Sequence, residues 1–444
     1  MVSTSRTISL ISLCIHFLFS ISQSLVPASE TFTYVNEGQF GDYVVEYGGN
    51  YRTLNLFRRP FQLCFYNTTP NAYTLALRMG TVRSENLMRW VWEANRGKPV
   101  RENATFSLGA DGNMVLAEAN GRVVWQTNTA NKGVVGFELR PNGNMVLHDA
   151  NGKFIWQSFD SPTDTLLVGQ SLVAGGVSKL VSRASDENNV DGAYSFVLEP
   201  RRVALYYTSN NSPRPMIYWS NYPWTGNDDT KTFNRLTLES HPRYDDDFSI
   251  WFLTFVYNIT NPDPFIETTS SDSVITRYNN TLTYLRLGID GNLRYFTYNP
   301  HDVQNYAWDR VYVLLHRDSR QGECELPGRC GKFGLCEDNQ CVACPTPNGL
   351  SGWSKDCEAK KVTSCKASDF YYYKLVGVDH FMIKYTRGDV TKQSQCESKC
   401  TSDCKCVGYF YHTDRSRCWI VYDLKTLTIV GNATNLAYIK TPNK

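Results

Sequence analysis

An excess of charge of one sign is the first thing this 444-residue chain lacks: 45 Lys and Arg against 43 Asp and Glu leave a net charge of +2. No Lys/Arg run able to track a phosphate backbone occurs, which excludes nucleic acid and anionic membrane surfaces as expected partners. Histidine is scarce; of the 7 residues one, His16, lies near the N-terminus and the rest are scattered. There is no Gly-x-Ser-x-Gly nucleophile turn, no His-Glu-x-x-His metal site and no glycine loop to cradle phosphate. The chain therefore reads as a non-enzyme that needs no cofactor. Paired carboxylates, which can converge from distant strands of a β fold, are the one hydrolytic arrangement that sequence leaves open. Apolar runs long enough to span a bilayer are missing, so no stable membrane insertion is expected. Cysteine is nearly absent from the first 320 residues, where only Cys14 and Cys64 occur.

What is present points outward from the cell. Arg6 followed by the apolar stretch Ile8–Ile21 and the small residues Ser22, Ser24 and Ala28 reads as a leader, residues 1–25, with cleavage expected between Ser22 and Ala28. Twelve cysteines crowd between Cys324 and Cys418, a density that marks small disulfide-stapled modules in an oxidising compartment. Asn67, Asn103, Asn210, Asn258, Asn279 and Asn432 stand in N-glycosylation sequons. With 27 Tyr, 22 Phe and 10 Trp, strands should outweigh helices.

Two stretches repeat at a spacing of 31 residues: Asp111-Gly-Asn-Met-Val-Leu116 and Asn142-Gly-Asn-Met-Val-Leu147. Each is followed by Ala-Asn-Gly and then by Trp125-Gln126 or Trp156-Gln157. A fixed period of this kind belongs to a unit that buries its apolar face only by stacking on copies of itself. Strand alternation places Met114 and Leu116 on the core side, with Asp111, Asn113 and Val115 facing outward. Trp92, Trp125 and Trp156 recur at intervals of 33 and 31, which suggests a third, diverged unit around Tyr73–Arg96. Three such sheets packing Trp and Leu toward a common axis would make a three-sided β-prism. Leu287-Gly-Ile-Asp-Gly-Asn-Leu-Arg294 echoes the same turn and predicts a second, eroded domain. Asp245–Asp247 could hold calcium, although a solvated acidic loop is the ordinary reading. In the cysteine-rich part, Cys396 and Cys400 sit one helical turn apart within a polar stretch, predicting a short helix.

The repeat resembles the Gln-x-Asp-x-Asn-x-Val-x-Tyr sugar motif of bulb-type, mannose-binding lectins. Trp90-Val-Trp-Glu-Ala-Asn-Arg-Gly-Lys-Pro99 and the stretch Trp156–Gln170 are similar to segments of plant S-domain proteins, which include receptor-kinase ectodomains and secreted epidermal glycoproteins. The resemblance implies a mainly β protein with bulb-lectin β-prism domains in tandem, followed by small disulfide-rich modules. The implied order is a bulb-type lectin domain at 26–170, a diverged lectin-like S-locus region at 171–320, an EGF-like module at 321–358 and a PAN/apple (α+β) module at 359–444. It also implies the pairs Cys324–Cys336, Cys330–Cys341, Cys344–Cys357, Cys396–Cys418 and Cys400–Cys406, leaving Cys365–Cys404. Cys341-Val-Ala-Cys344 could be redox or zinc chemistry, but neighbours at this density favour structural bridges. Cys64 reads as a buried free thiol, with an intermolecular bridge the alternative.

Carried onto this chain, the sugar motif gives Asp111, Asn113 and Val115 in the first copy and Asn142, Asn144 and Val146 in the second as candidate carbohydrate ligands. Gly109 and Ala117 replace Gln and Tyr in the first copy; Arg140, Asn142 and His148 replace Gln, Asp and Tyr in the second. A bland alternative stands beside this: Asp-Gly-Asn persists as turn chemistry alone. The expected function is a secreted, apoplastic or cell-wall glycoprotein binding glycans or wall glycoproteins through a degenerate site. The alternative is a non-catalytic interaction module that associates with itself or other proteins through the EGF-like and PAN regions.

Overall fold

A computed structural model of the chain describes residues 26–43, 45–80, 88–221, 231–242, 249–259, 265–270, 274–276, 282–298, 308–318 and 322–443. The leader expected at 1–25, the acidic trio Asp245–Asp247 and the sequon at Asn279 lie outside these residues. Strands dominate, and one α-helix, Gln393–Ser402, is present among the described residues. The expected mainly β class holds. The chain forms two compact units, which meet in sequence at Ser161–Pro162.

The first unit contains β1 (Phe32–Val35), β2 (Asn50–Arg58), β3 (Phe61–Asn67), β4 (Thr74–Met79), β5 (Arg89–Glu93), β6 (Thr105–Leu108), β7 (Met114–Ala117), β8 (Val123–Gln126), β9 (Gly136–Leu139), β10 (Met145–His148) and β11 (Phe154–Gln157). They form three antiparallel sheets, ordered β1-β6-β7-β8, β2-β3-β4-β5 and β11-β10-β9. One pair recurs in every sheet. Leu77 lies opposite Trp92, Leu116 opposite Trp125 and Leu147 opposite Trp156. In each sheet the register shifts immediately after that leucine, a bulge that bends the strand at the same place. All three leucines are fully buried. The three indoles then meet edge to face, with ring centroids 5.8, 5.8 and 6.3 Å apart. Aromatic pairs in this geometry add about 0.5–1.5 kcal/mol each beyond the area they bury.

The second unit begins with three more antiparallel sheets. One joins Thr165–Leu167, Thr283–Leu287, Leu293–Tyr298 and Trp308–Val313, and another joins Lys179–Arg183, Asp191–Leu198, Val203–Tyr207 and Met216–Asn221. The third is built on the long hairpin Lys231–Pro242 and Ser249–Ile259. Leu166, Leu180, Phe196, Leu205, Tyr218, Leu236 and Leu285 share one core, which also takes in Leu326 and Phe381 from the cysteine-rich part.

Residues 324–443 form two five-stranded sheets. In one, Phe333–Glu337 pairs in parallel with Lys425–Ile429, so a single sheet crosses the boundary expected at 358/359. Phe333 and Leu335 accordingly share a core with Phe410, Trp419, Leu427 and Ile439. Helix Gln393–Ser402 turns Cys396 and Cys400 inward, where they bond to Cys418 and Cys406.

A buried histidine fixes how this region meets the preceding sheets. His380 donates from Nε2 to the Asp423 carbonyl at 2.9 Å, and its Nδ1 accepts the Met382 amide at 3.3 Å, so the ring is neutral. The Asp423 carboxylate in turn accepts from the Tyr207 hydroxyl at 2.8 Å. Burial holds the His380 pKa down at about 4, against an ordinary 6.5. Between these values the unfolded chain binds the proton and the folded chain does not. The contribution to stability is therefore complete above pH 6.5 and is lost as pH falls toward 4, by roughly 3 kcal/mol. His380→Gln, which keeps a donor for the Asp423 carbonyl, is expected to show a smaller fall in Tm between pH 7 and pH 4 than the wild type. Equal falls in the two melting series would refute the assignment.

Candidate functional site

An Asp-Gly-Asn turn leads into β7 and an Asn-Gly-Asn turn into β10. Gly112 has a φ of +81°, and a Cβ there would lie 2.7 Å from the Val134 side chain, so the turn requires glycine on two counts. Asp111 Oδ1 accepts the Asn113 amide at 3.1 Å, closing an Asx turn with the aspartate at the surface.

Asn113 turns inward and is only 8% exposed. Its Oδ1 accepts from the Thr129 amide and the Thr127 hydroxyl, both at 3.1 Å, and its Nδ2 donates to Gln126 Oε1 at 2.9 Å. Thr127 Oγ1 also accepts the Met114 amide at 3.0 Å. The side chain thus clamps the segment after β8 onto the start of β7. The second copy repeats this: Asn144, 4% exposed, accepts the Phe159 amide at 3.3 Å and donates to Gln157 Oε1 at 2.8 Å. Ser158 Oγ accepts the Met145 amide at 2.9 Å, standing where Thr127 stands. In the third sheet the clamp runs in reverse, since Asn95 follows the tryptophan; its Oδ1 accepts the Leu75 amide at 2.8 Å. Asn292, in the second unit, uses the same chemistry on the Leu315 amide and carbonyl at 3.1 and 2.7 Å.

The outer faces of the three sheets differ. On β7, Val115 is half-buried and paired with Ser107 and with exposed Gln126, and Asp111, in the turn before the strand, is exposed. On β10, Val146 is fully buried. Arg140, just past β9, places its guanidinium 5.3 Å from the centre of the Phe154 ring on β11. Because β10 runs between those strands, this cation–π contact crosses above it and roofs Val146. On β4 the equivalent position is Ala76, buried in a cluster with Val45, Tyr51, Cys64, Tyr66, Met88 and Trp90. Asn113, Asn144 and Val146 are therefore buried, Val146 on the outward side of its strand but covered, while Asp111, Asn142 and Val115 reach the surface.

Residues 89–184 match the family described as D-mannose binding lectin. EP1-like glycoprotein 3 of Arabidopsis thaliana is 48% identical over 440 residues, covering 98% of both chains. Epidermis-specific secreted glycoprotein EP1 of Daucus carota is 53% identical over 370 residues, 80% of this chain and 93% of the carrot protein. The chain belongs to the EP1-like glycoproteins of the G-type lectin family. A more distant relative, the G-type lectin S-receptor-like serine/threonine-protein kinase SD2-2 of Arabidopsis thaliana, is 26% identical over 82% of this chain and 44% of the kinase.

In this EP1-like chain six disulfides lie between residues 324 and 418: Cys324–Cys336, Cys330–Cys341, Cys344–Cys357, Cys365–Cys404, Cys396–Cys418 and Cys400–Cys406. The sulfurs of Cys330, Cys336 and Cys341 come close enough for a metal, but each is consumed in a disulfide and offers no thiolate. Cys64 is a free, fully buried thiol whose pKa burial pushes up to about 12, against the opposing pull of Arg78. That protonated state makes it unreactive.

The sequons fall into different environments. Asn103, Asn210 and Asn432 are exposed, Asn258 is half-buried, and Asn67, at the end of β3, is 4% exposed. The residues that sequence reasoning missed are the partners of the clamp, Thr127, Thr129, Ser158 and Asn95, and the Arg140–Phe154 roof. A signal existed for two of them: a hydroxyl follows Trp-Gln at the same offset in both copies, as Thr127 and Ser158.

Asn113→Ala strips partners from a buried amide and hydroxyl, and is expected to destabilise the first unit by about 1–3 kcal/mol, read as a lower Tm. An unchanged Tm would dismiss the clamp. Peptide mapping of the protein expressed in plant cells should find glycans on Asn103, Asn210 and Asn432 and leave Asn67 bare.

Proposed function

We propose that the chain is a secreted, non-catalytic glycan-binding glycoprotein of the apoplast or cell wall, and that its working sugar position is the outer face of β7. The observation that carries this reading is the difference among three equivalent positions. Val146 is roofed and Ala76 is buried, whereas Val115 stays half open beside surface Gln126, on a strand whose leading turn exposes Asp111. In this reading Val115 packs on the carbons of a pyranose, and Asp111 and Gln126 take its hydroxyls. Asn113 acts from behind, holding the Gln126 amide by its oxygen so that its NH2 group faces the ligand. Asn142, Asn144 and Val146 serve the fold.

With Gly109 and Ala117 in place of two polar side chains, few hydrogen bonds are available. Affinity for a monosaccharide should be low, and an extended wall glycan is the better ligand. The three-sheet regions at 26–170 and 171–320 are read as β-prism lectin-type domains, and 321–358 and 359–444 as EGF-like and PAN/apple modules without catalysis. The family's secreted carrot member supports export.

The experiment is retention on mannose-type and plant-wall glycan arrays. Asp111→Ala and Gln126→Ala should each lower retention about tenfold, the loss of one hydrogen bond to a sugar hydroxyl, in protein whose circular dichroism spectrum shows it folded. Retention that neither substitution alters would sink the β7 site. A second reading, a protein-interaction module without sugar binding, is favoured by the internal commitment of Asn113 and Asn144. It predicts disulfide-dependent association that free mannoside does not compete away.

A further inference from the structure

Sheet edges are where a β protein invites pairing with another chain, and most edges here are blunted. Two-, three- and four-residue edges are Asp389–Val390, Val378–His380 and Gly349–Gly352, while β2, β5, β8 and Met216–Asn221 carry bulges. Phe370–Val376 differs. It forms the edge of its sheet, pairs with Asn435–Pro442 over seven consecutive residues without a register shift, and is the longest regular edge among the described residues. It contains no proline, and no backbone hydrogen bond among the described residues reaches its outer side. Two of its apolar side chains stand in solvent, Val376 at 54% and Tyr371 at 44% exposure.

We infer that this edge is a self-association surface, at which the strand Phe370–Val376 pairs antiparallel with the same strand of a second copy. A twofold axis through Tyr373 is the one antiparallel register that matches all seven residues to seven. It sets Phe370 against Val376, Tyr371 against Leu375, Tyr372 against Lys374, and Tyr373 against itself. The single charge on the strand selects this register. An axis one residue further on, at Lys374, would set two ammonium groups directly opposite, which is destabilising, whereas the Tyr373 axis puts each ammonium beside a tyrosine ring. The exposed Val376 and Tyr371 then both gain apolar partners. An edge lysine, ordinarily a device against pairing, here rejects slipped registers and leaves one. The surface is independent of the β7 sugar position.

Sedimentation equilibrium of the full secreted chain tests this. A dimer mass is expected by about 100 µM, and Val376→Asp or Tyr371→Asp should weaken it at least tenfold. Both positions are exposed, so an unchanged circular dichroism spectrum controls for folding. Register is read separately: Tyr373→Cys should give a disulfide-linked dimer under mild oxidation, because that residue faces itself. Val376→Cys, which faces Phe370, should not. A monomer throughout, a dimer indifferent to both aspartates, or cross-linking of Val376→Cys as readily as Tyr373→Cys would each overturn the proposal.

Discussion

Each sheet of the first unit has strands of only four to nine residues, and none can enclose an apolar face alone. What holds the unit together is the cross-strand Leu–Trp pair, repeated in all three sheets, with the three indoles packed edge to face on one another. That contact is three-way, so no sheet can be lost without stripping partners from the other two. The bulge after each leucine belongs to the same device, since it bends the strand next to the indole contact. Because the requirement falls on the Leu and the Trp, the residues facing away are free to diverge.

They have diverged in three directions. The β4 face was taken into an aromatic cluster around Cys64, the β10 face was closed by Arg140 over Phe154, and the β7 face stayed open. The asparagines are under a separate constraint. The short loop after each Trp-Gln pair leaves backbone amides that must find acceptors once buried, and the Asn carboxamide supplies them. The third sheet meets the same need with Asn95, from the other side of the hairpin. An asparagine conserved in spacing between two copies therefore says more about backbone satisfaction than about a ligand.

In the second unit, apolar burial and disulfides divide the work. The three sheets of residues 165–313 enclose a large core that also takes in Leu326 and Phe381, whereas the cysteine-rich part is stapled by six bridges. One sheet joins its two halves. The parallel pairing of Phe333–Glu337 with Lys425–Ile429 brings strands nearly a hundred residues apart into one sheet, and Phe381 and His380 key that region against the preceding sheets.

Period and parity in the sequence were enough to find the core: Leu116, Leu147 and the three tryptophans could be read from spacing alone, because apolar side chains that stack on copies must recur at the copy length. The β class and the short helix carrying Cys396 and Cys400 were legible for similar local reasons. The faces of the site were not. Alternation gives the side of a strand on which a residue lies but not what lies above it, and Val146 is covered by a contact between two other strands. Asn113 precedes β7 in a turn, where alternation does not apply and where partners come from residues thirteen to sixteen positions later. Sequence by itself determined the repeating unit and its core. Only the tertiary structure decided which of the three outer faces remained open, because burial of an outward residue depends on neighbours that no local pattern records.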